Sequence, residues 1–174
     1  MRKNISKILL VPVLATASFV ASAADGTINF TGTITDTACT VDAASANQTV
    51  PLGTVARTGF SAVGSTSAAT KFTIGLTACP ASVTAAKVKF DGRANSTNSN
   101  LLALNSDQTA TNVGIGIYEQ DGSTLIPLGT QSASKTLSST AANALTYVAK
   151  YYAVATPVGS GSANSTANFS IVYN

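Results

Sequence analysis

The chain has 174 residues, with ten Lys and Arg against seven Asp and Glu, and it contains no histidine and no tryptophan. Without histidine, neither a Ser-His-Asp triad nor a histidine metal site can be built. Charged residues make up only 10% of the chain, and Thr, Ser, Ala, Asn and Gly are abundant. This composition favours β-structure with a polar, weakly charged surface over a disordered tail or a helical bundle.

The first 23 residues have the pattern of a secretory signal peptide. A basic start precedes an apolar core from Ile8 to Val20, and residues 21–23 (ASA) supply the small side chains of a cleavage site. A membrane anchor is the alternative, but the apolar stretch is shorter than the roughly 20 residues of a spanning helix and contains Pro12. We therefore expect cleavage after Ala23, or after Ala24, and no transmembrane anchor.

Cleavage changes the charge balance. Loss of Arg2, Lys3 and Lys7 leaves seven basic against seven acidic residues in residues 24–174. The mature chain is therefore near neutral, which predicts no nucleic-acid partner and no affinity for anionic lipid. Its length suits one domain with a core of its own.

The segment Gly26–Ile34 alternates between two kinds of side chain. Its odd positions are polar, and its even positions are Gly26, Ile28, Phe30, Gly32 and Ile34. Successive side chains of a strand point to opposite faces, so the pattern predicts an amphipathic strand with one apolar edge. Such a strand either completes the chain's own sheet or connects one subunit to another.

The chain has two cysteines, Cys39 and Cys79. In an exported chain a disulfide is the default, because the compartment is oxidising. Closing a loop of about 40 residues stabilises a fold by roughly 4 kcal/mol in the chain-entropy model. A two-ligand metal site or a redox pair is the alternative, although there is no histidine and no C-x-x-C spacing.

Short alternating segments separated by turn residues continue along the chain. We expect strands at Ala38–Asp42, Thr49–Val55, Lys71–Leu76, Ala85–Asp91, Leu101–Leu104, Asn112–Glu119, Leu125–Leu128, Leu145–Ala155 and Ala163–Tyr173. Asp121-Gly122 predicts a hairpin turn, and residues 57–70 form a longer connection with room for a helical turn. The absence of a helical period predicts an antiparallel two-sheet sandwich, with no boundary between two domains.

No constellation of side chains predicts an enzyme. Glu119 and Asp121 flank a turn, and we interpret them as solvated turn acids rather than a glycosidase pair. Tyr147, Tyr151 and Tyr152 are interpreted as core or subunit-contact residues rather than a sugar platform. We expect no catalytic residue, no metal and no cofactor.

Taken in order, these features resemble the major pilins of chaperone–usher, type 1-like fimbriae. The resemblance covers essentially the whole mature chain. It rests on the leader and on the segments Gly26–Ile34, Ala38–Val41, Asn112–Tyr118, Tyr147–Ala155 and Ala167–Asn174, with Cys79 following Cys39 by 40 residues.

The resemblance implies an all-β fold: an incomplete immunoglobulin-like sandwich that lacks its last strand, with an N-terminal donor-strand extension at residues 24–37. The missing strand leaves a hydrophobic groove beside an unpaired sheet edge. In such pilins a periplasmic chaperone first lends a strand to the groove. The extension of the next subunit then replaces it, which is a form of β-augmentation.

The resemblance also implies roles for individual residues. In the donor strand, Ile28, Phe30 and Ile34 fill pockets of the preceding subunit, and Gly26 and Gly32 allow close backbone approach. Tyr173 is the penultimate aromatic residue, and Gly161 is the fourteenth residue from the end. The groove and chaperone-contact strand comprises Gly161, Phe169, Ile171, Tyr173 and Asn174.

The sequence thus predicts a structural subunit of a surface fimbria that supports adhesion and is exported through the periplasm of a Gram-negative bacterium. The implied partners are neighbouring pilin subunits in a homopolymer, a periplasmic chaperone, an outer-membrane usher and a tip adhesin. Two alternatives remain open. One is a minor or tip-proximal subunit with receptor contact, and the other is a self-contained secreted Ig-like domain.

Overall fold

The computed structural model describes residues 26–32, 34 and 38–173. The predicted signal peptide and Asn174 lie outside these residues. The chain divides into two units, Met1–Ile34 and Thr35–Asn174. In the first unit, the described residues 26–32 and 34 form no strand, unlike the prediction. The physical reason is that a strand exists only where a second backbone pairs with it.

The second unit is a sandwich of two antiparallel sheets. The first sheet contains, in spatial order, β1 (Thr40–Val41), β2 (Thr70–Thr77), β7 (Asn143–Ala153), β4 (Val113–Glu119) and β5 (Leu125–Ile126). The second contains β6 (Lys135–Thr136), β3 (Ala85–Gly92) and β8 (Ala167–Tyr173). The helical elements within the described ranges are a four-residue helix, α1 (Ala43–Ala46), and a 3₁₀ turn, Arg57–Gly59. The predicted all-β, two-sheet fold is confirmed.

The core lies between the sheets, and buried residues alternate with more exposed ones along the strands, with a period of two residues. In β3, Ala86, Val88 and Phe90 are buried, and the two lysines between them are half-exposed. Tyr147 of β7 is fully buried, with its ring edge-on to Phe90 at a centroid distance of 5.2 Å. Burial raises the pKa of the Tyr147 phenol to about 12, and the phenol shares a hydrogen bond with Ser132 Oγ at 3.1 Å. The aromatic core is therefore uncharged at neutral pH.

Several predicted elements differ from the structure. Residues 49–55 pair with no strand in the described chain, and residues 101–104 contribute only isolated bridges at Leu102. The last strand begins at Ala167 rather than Ala163. The helix α1 and strand β6 were not predicted, because four and two residues are too few to show a period.

Strand β4 was predicted to be half-buried, but all seven of its residues are buried. Its second face is covered by the chain at Leu102 and by the ring of Tyr118. A Cβ at Gly114 would lie 3.0 Å from the Leu102 carbonyl oxygen, and one at Gly116 would lie 2.8 Å from the Tyr118 ring. The two glycines therefore admit the covering groups, and the apolar alternation does not mark a solvent face.

Glu119 is not the solvated turn acid that the sequence suggested. It is buried, accepts a hydrogen bond from Ala133 N–H, and places Oε2 3.4 Å from Lys135 Nζ. It thus fixes the crossover between β5 and β6. Asp121 is a solvated turn acid, and its pKa is lowered by hydrogen bonds from the Thr124 hydroxyl and from the Thr124 and Ser123 N–H groups.

The predicted disulfide between Cys39 and Cys79 is confirmed, with 40 residues separating the two cysteines. Cys39 directly precedes β1 and Cys79 follows β2, so the bond ties the first pair of strands together at one end. Both cysteines are buried in the main core cluster.

Replacing Cys39 by Ser should lower the free energy of unfolding by about 3–4 kcal/mol, because the open chain gains conformational entropy when unfolded. Urea unfolding measures this, and the double variant Cys39→Ser/Cys79→Ser should lose a similar amount. Thiol labelling of the folded, unreduced protein is the control. Quantitative labelling of both cysteines would contradict the bond.

Candidate functional site

A groove of about 780 Å³, with polar walls and an apolar floor, opens in the second unit between the two sheets. One wall is residues 45–53, and the other is residues 163–169, which lead into β8. The floor consists of core side chains from both sheets and the 102 loop: Phe72, Ile74, Phe90, Leu102, Ile115, Ile117, Ala149 and Tyr151. The groove therefore reaches the hydrophobic core, where most of the floor side chains are buried and Phe72 and Tyr151 are half-buried.

Both walls have unpaired backbone. β8 is the last strand of its sheet and pairs only with β3. On the opposite side, residues 49–55 make no backbone hydrogen bond with any other described residue. An unpaired edge offers a row of N–H and C=O groups to an incoming strand. The groove therefore combines an apolar floor with free hydrogen-bonding edges.

β8 turns its apolar residues towards the core. Phe169 lines the groove, while Ile171 and Tyr173 follow on the same face, half-buried against the core cluster. The Tyr173 hydroxyl donates to the Cys39 carbonyl at 3.4 Å, and burial raises the pKa of this phenol. The end of β8 is thereby anchored next to the disulfide.

A second compartment of about 350 Å³ lies beyond the first. It is lined by Phe60, Val113 and Val158 and by the loop around Gly161. Gly161 thus lies in the loop before β8 and not in the strand to which the sequence interpretation assigned it. Its φ is +155°, and a Cβ there would approach the Ala110 nitrogen to 2.6 Å, so only glycine lets the two loops meet.

The two compartments meet at Tyr151. Gly53, Tyr151, Ala163 and Asn164 line both of them. The Tyr151 hydroxyl donates to the Ala163 carbonyl at 3.1 Å, and burial raises the pKa of this phenol. The neutral phenol therefore fixes the loop before β8 at the boundary between the two compartments.

The groove has almost no charge. Among the described residues that line it, Arg57 of the 3₁₀ turn is the only charged one. Within residues 26–32, 34 and 38–173, no group of three acidic or cysteine side chains is placed to hold a metal ion. The geometry is suited to binding an extended apolar segment rather than to chemical catalysis.

The first unit presents such a segment. Ile28, Phe30 and Ile34 are 79%, 91% and 99% exposed. Exposure of three large apolar side chains in one short stretch is typical of a contact surface without its partner. Among the described residues, no helix is long and apolar enough to cross a membrane.

Sequence reasoning missed three features of the groove: the unpaired wall at residues 49–55, Tyr151 at the boundary and Arg57 at the rim. Pro51 was an available signal for the first, because proline cannot donate to a sheet ladder and argues against a paired strand. The other two depend on how the loops pack, and no local pattern indicates them.

Known proteins are similar to this chain in sequence and in fold. The chain matches the fimbrial protein family over residues 28–174. It is 38% identical over 180 residues to the fimbrial subunit type 1 of Salmonella typhimurium, covering 95% of this chain and 97% of that protein. Proteins related at this level are fimbrial structural proteins and not enzymes.

Solved structures of fimbrial and pilus proteins are similar to this chain in fold. A Burkholderia pseudomallei antigen and type I fimbria protein matches with a TM-score of 0.62 and 33% identity over 80% of this chain and 91% of that chain. A subunit of a chaperone–usher pilus, at 22% identity, shares the fold with a TM-score of 0.65 over 94% of this chain and 100% of that chain. The chain therefore belongs to the fimbrial protein family and has the fold of chaperone–usher pilus subunits.

Proposed function

We propose that this chain is the repeating structural subunit of a surface fimbria and that it polymerises by donor-strand complementation. Residues 24–37 of one copy would occupy the groove of the preceding copy. The observation that carries the proposal is the match between the groove's apolar floor and free β8 edge and the exposed apolar face at Ile28, Phe30 and Ile34. One chain thus holds both halves of a strand-addition contact.

Burial supplies the driving force. Fully burying a large apolar side chain contributes about 1.5–3 kcal/mol, so the three exposed side chains together represent roughly 5–9 kcal/mol. The donor backbone would also pair with the free edge of β8. Both contributions are absent in the isolated subunit and return only when the groove is filled.

The two compartments favour one register. The larger has room for Ile28 and Phe30, and the smaller for Ile34. Gly32, which has no side chain, would then pass the boundary at Tyr151. Since residues 158–164, which precede β8, line the smaller compartment, this order requires the donor to run antiparallel to β8, like every strand pair in the structure.

The proposal also assigns roles to the rest of the chain and to its partners. Residues 1–23 would be a removed signal peptide, and residues 38–174 the pilin domain. A subunit that exposes its core needs a periplasmic chaperone before an outer-membrane usher adds it to the fibre. The terminal carboxylate of Asn174 would meet basic chaperone residues. A tip adhesin would supply the receptor contact through which the fibre supports adhesion.

Replacing Phe30 by Asp should abolish fibres, because seating the donor would bury an unpaired carboxylate at a cost of several kcal/mol. Thr31→Asp is the matched control, since its side chain points away from the groove. Surface fibres are measured as a ladder on gels of samples heated to increasing temperatures, and the chaperone complex by periplasmic pull-down.

Three results of this experiment are informative. Loss of fibres with an intact chaperone complex supports the donor assignment, provided that the Thr31→Asp chain still assembles. Normal fibres from the Phe30→Asp chain would refute it. Loss of the chaperone complex as well would favour a self-contained domain in which residues 26–34 complete their own sheet.

Replacing Tyr173 by Ser should weaken the chaperone complex. The change removes the contact with the Cys39 carbonyl and part of the core-facing surface of β8. Val172→Ser on the opposite face is the control and should have the smaller effect. Equal recovery of both variants with the chaperone would count against a role for the Tyr173 face, and deletion of residues 171–174 should be at least as harmful as Tyr173→Ser.

Replacing Gly161 by Ala should displace the loop that walls the smaller compartment, because the new Cβ meets backbone atoms of residues 109–110. We expect fibres that release subunits at a lower urea concentration. Gly59→Ala is the control, since a Cβ there has no neighbour within 4 Å. Indistinguishable fibres from the two variants would show that the smaller compartment does not bind the donor.

A further inference from the structure

Arg57 stands out among the residues of the groove. It lines the smaller compartment and is exposed. Its guanidinium forms no ion pair or hydrogen bond with any described residue; the same is true of Lys71, Lys87 and Arg93, but none of these three lines the groove. An unpaired arginine at the end of an otherwise uncharged groove is available to a group on the incoming strand.

The donor segment carries one charge in the corresponding place. Between Gly26 and Ala38 the only charged residue is Asp36, which lies outside the described residues. It follows Ile34 by two positions, so in an extended donor it falls on the same side, about 6.6 Å further along. With Ile34 in the smaller compartment, Asp36 would arrive at the rim that Arg57 occupies.

We propose that Asp36 of one copy forms an ion pair with Arg57 of the preceding copy, and that this pair fixes the register of the donor strand. The proposal rests on the donor-strand function proposed above and names a polar determinant of that contact. An arginine fork suits a carboxylate because two N–H groups reach its two oxygens.

The ion pair would discriminate between registers of the donor strand, which apolar packing alone does poorly. A slip of two residues keeps the apolar face of a strand towards the groove, and register is weakly specified where glycines interrupt that face, as at Gly26 and Gly32. The same slip moves Asp36 either into the apolar compartment without a partner or away from Arg57. Charge complementarity therefore discriminates between registers more than it adds affinity.

The test compares fibres of four full-length chains: wild type, Arg57→Asp, Asp36→Arg and the swap Arg57→Asp/Asp36→Arg. Subunit release is followed at low ionic strength in urea, which does not screen charges. Each single change places like charges together at every junction, and we expect release to be about two- to five-fold faster, as for an exposed ion pair. The swap should restore the wild-type rate, and 0.5 M salt should reduce all differences.

Lys71→Asp serves as the control, because Lys71 is exposed and lies outside both compartments. If a single variant forms no fibres, recovery of fibres in the swap supports the pair, and continued failure overturns it. A swap whose release rate equals the product of the two single effects also overturns it. The donor function itself is tested separately by the Phe30→Asp chain. Fibres whose rate of subunit release does not change with the charge substitutions would therefore refute only the ion pair.

Discussion

The groove edge of β8 presents a row of backbone N–H and C=O groups with no strand partner in the described chain, and such an edge is open to an added strand. The features around it are related to that open edge. The floor is apolar because it consists of core side chains of the sandwich, which the groove reaches between the two sheets. The facing wall, residues 49–55, likewise has no backbone partner in the described chain. In the proposed contact, a single added strand would pair with both walls and cover the floor.

The groove is largely built before anything fills it. Its floor is backed by the ring cluster of Phe72, Phe90 and Tyr147, whose centroids lie 5.2–6.1 Å apart. The disulfide holds β1 against β2, and Glu119 holds the crossover between the sheets. A preformed site spends less of its binding energy on ordering itself. Residues 26–32 and 34, in contrast, form no strand in the described chain, so the proposed donor would gain its strand conformation only on binding.

Sequence and structure agree where a local period decides the outcome. β2 and β3 bury alternate residues as their patterns indicate, β8 half-buries Phe169 and Ile171 on its apolar face, and Asp121-Gly122 forms the expected hairpin between β4 and β5. Sequence and structure disagree where the conformation of a segment depends on a partner that is distant in the sequence. Residues 49–55 alternate like a strand, but strand pairing needs a neighbour that the described chain does not supply.

Burial of Glu119 shows the same limit, since it depends on Ala133 and Lys135, which no local pattern connects to it. The groove could be expected from the resemblance to pilins, and its lining by Phe169 from the phase of β8. Its division at Tyr151 could not, because the division arises from a contact with the loop at Ala163.

The pairing of β3 with β8 has a consequence for the rate of folding. Ala86 pairs with Tyr173, so the second sheet closes a loop of 87 residues, from 86 to 173. Folding slows as the mean sequence separation of contacts rises, because the entropy of loop closure is lost before the contacts form. By this argument we expect the three-stranded sheet to close late, as does the β2–β7 pair, whose partners Thr70 and Ala149 are also far apart in the sequence. Until the three-stranded sheet closes, β3 and the whole aromatic floor face solvent, which is the interval in which a nascent subunit is most prone to aggregate.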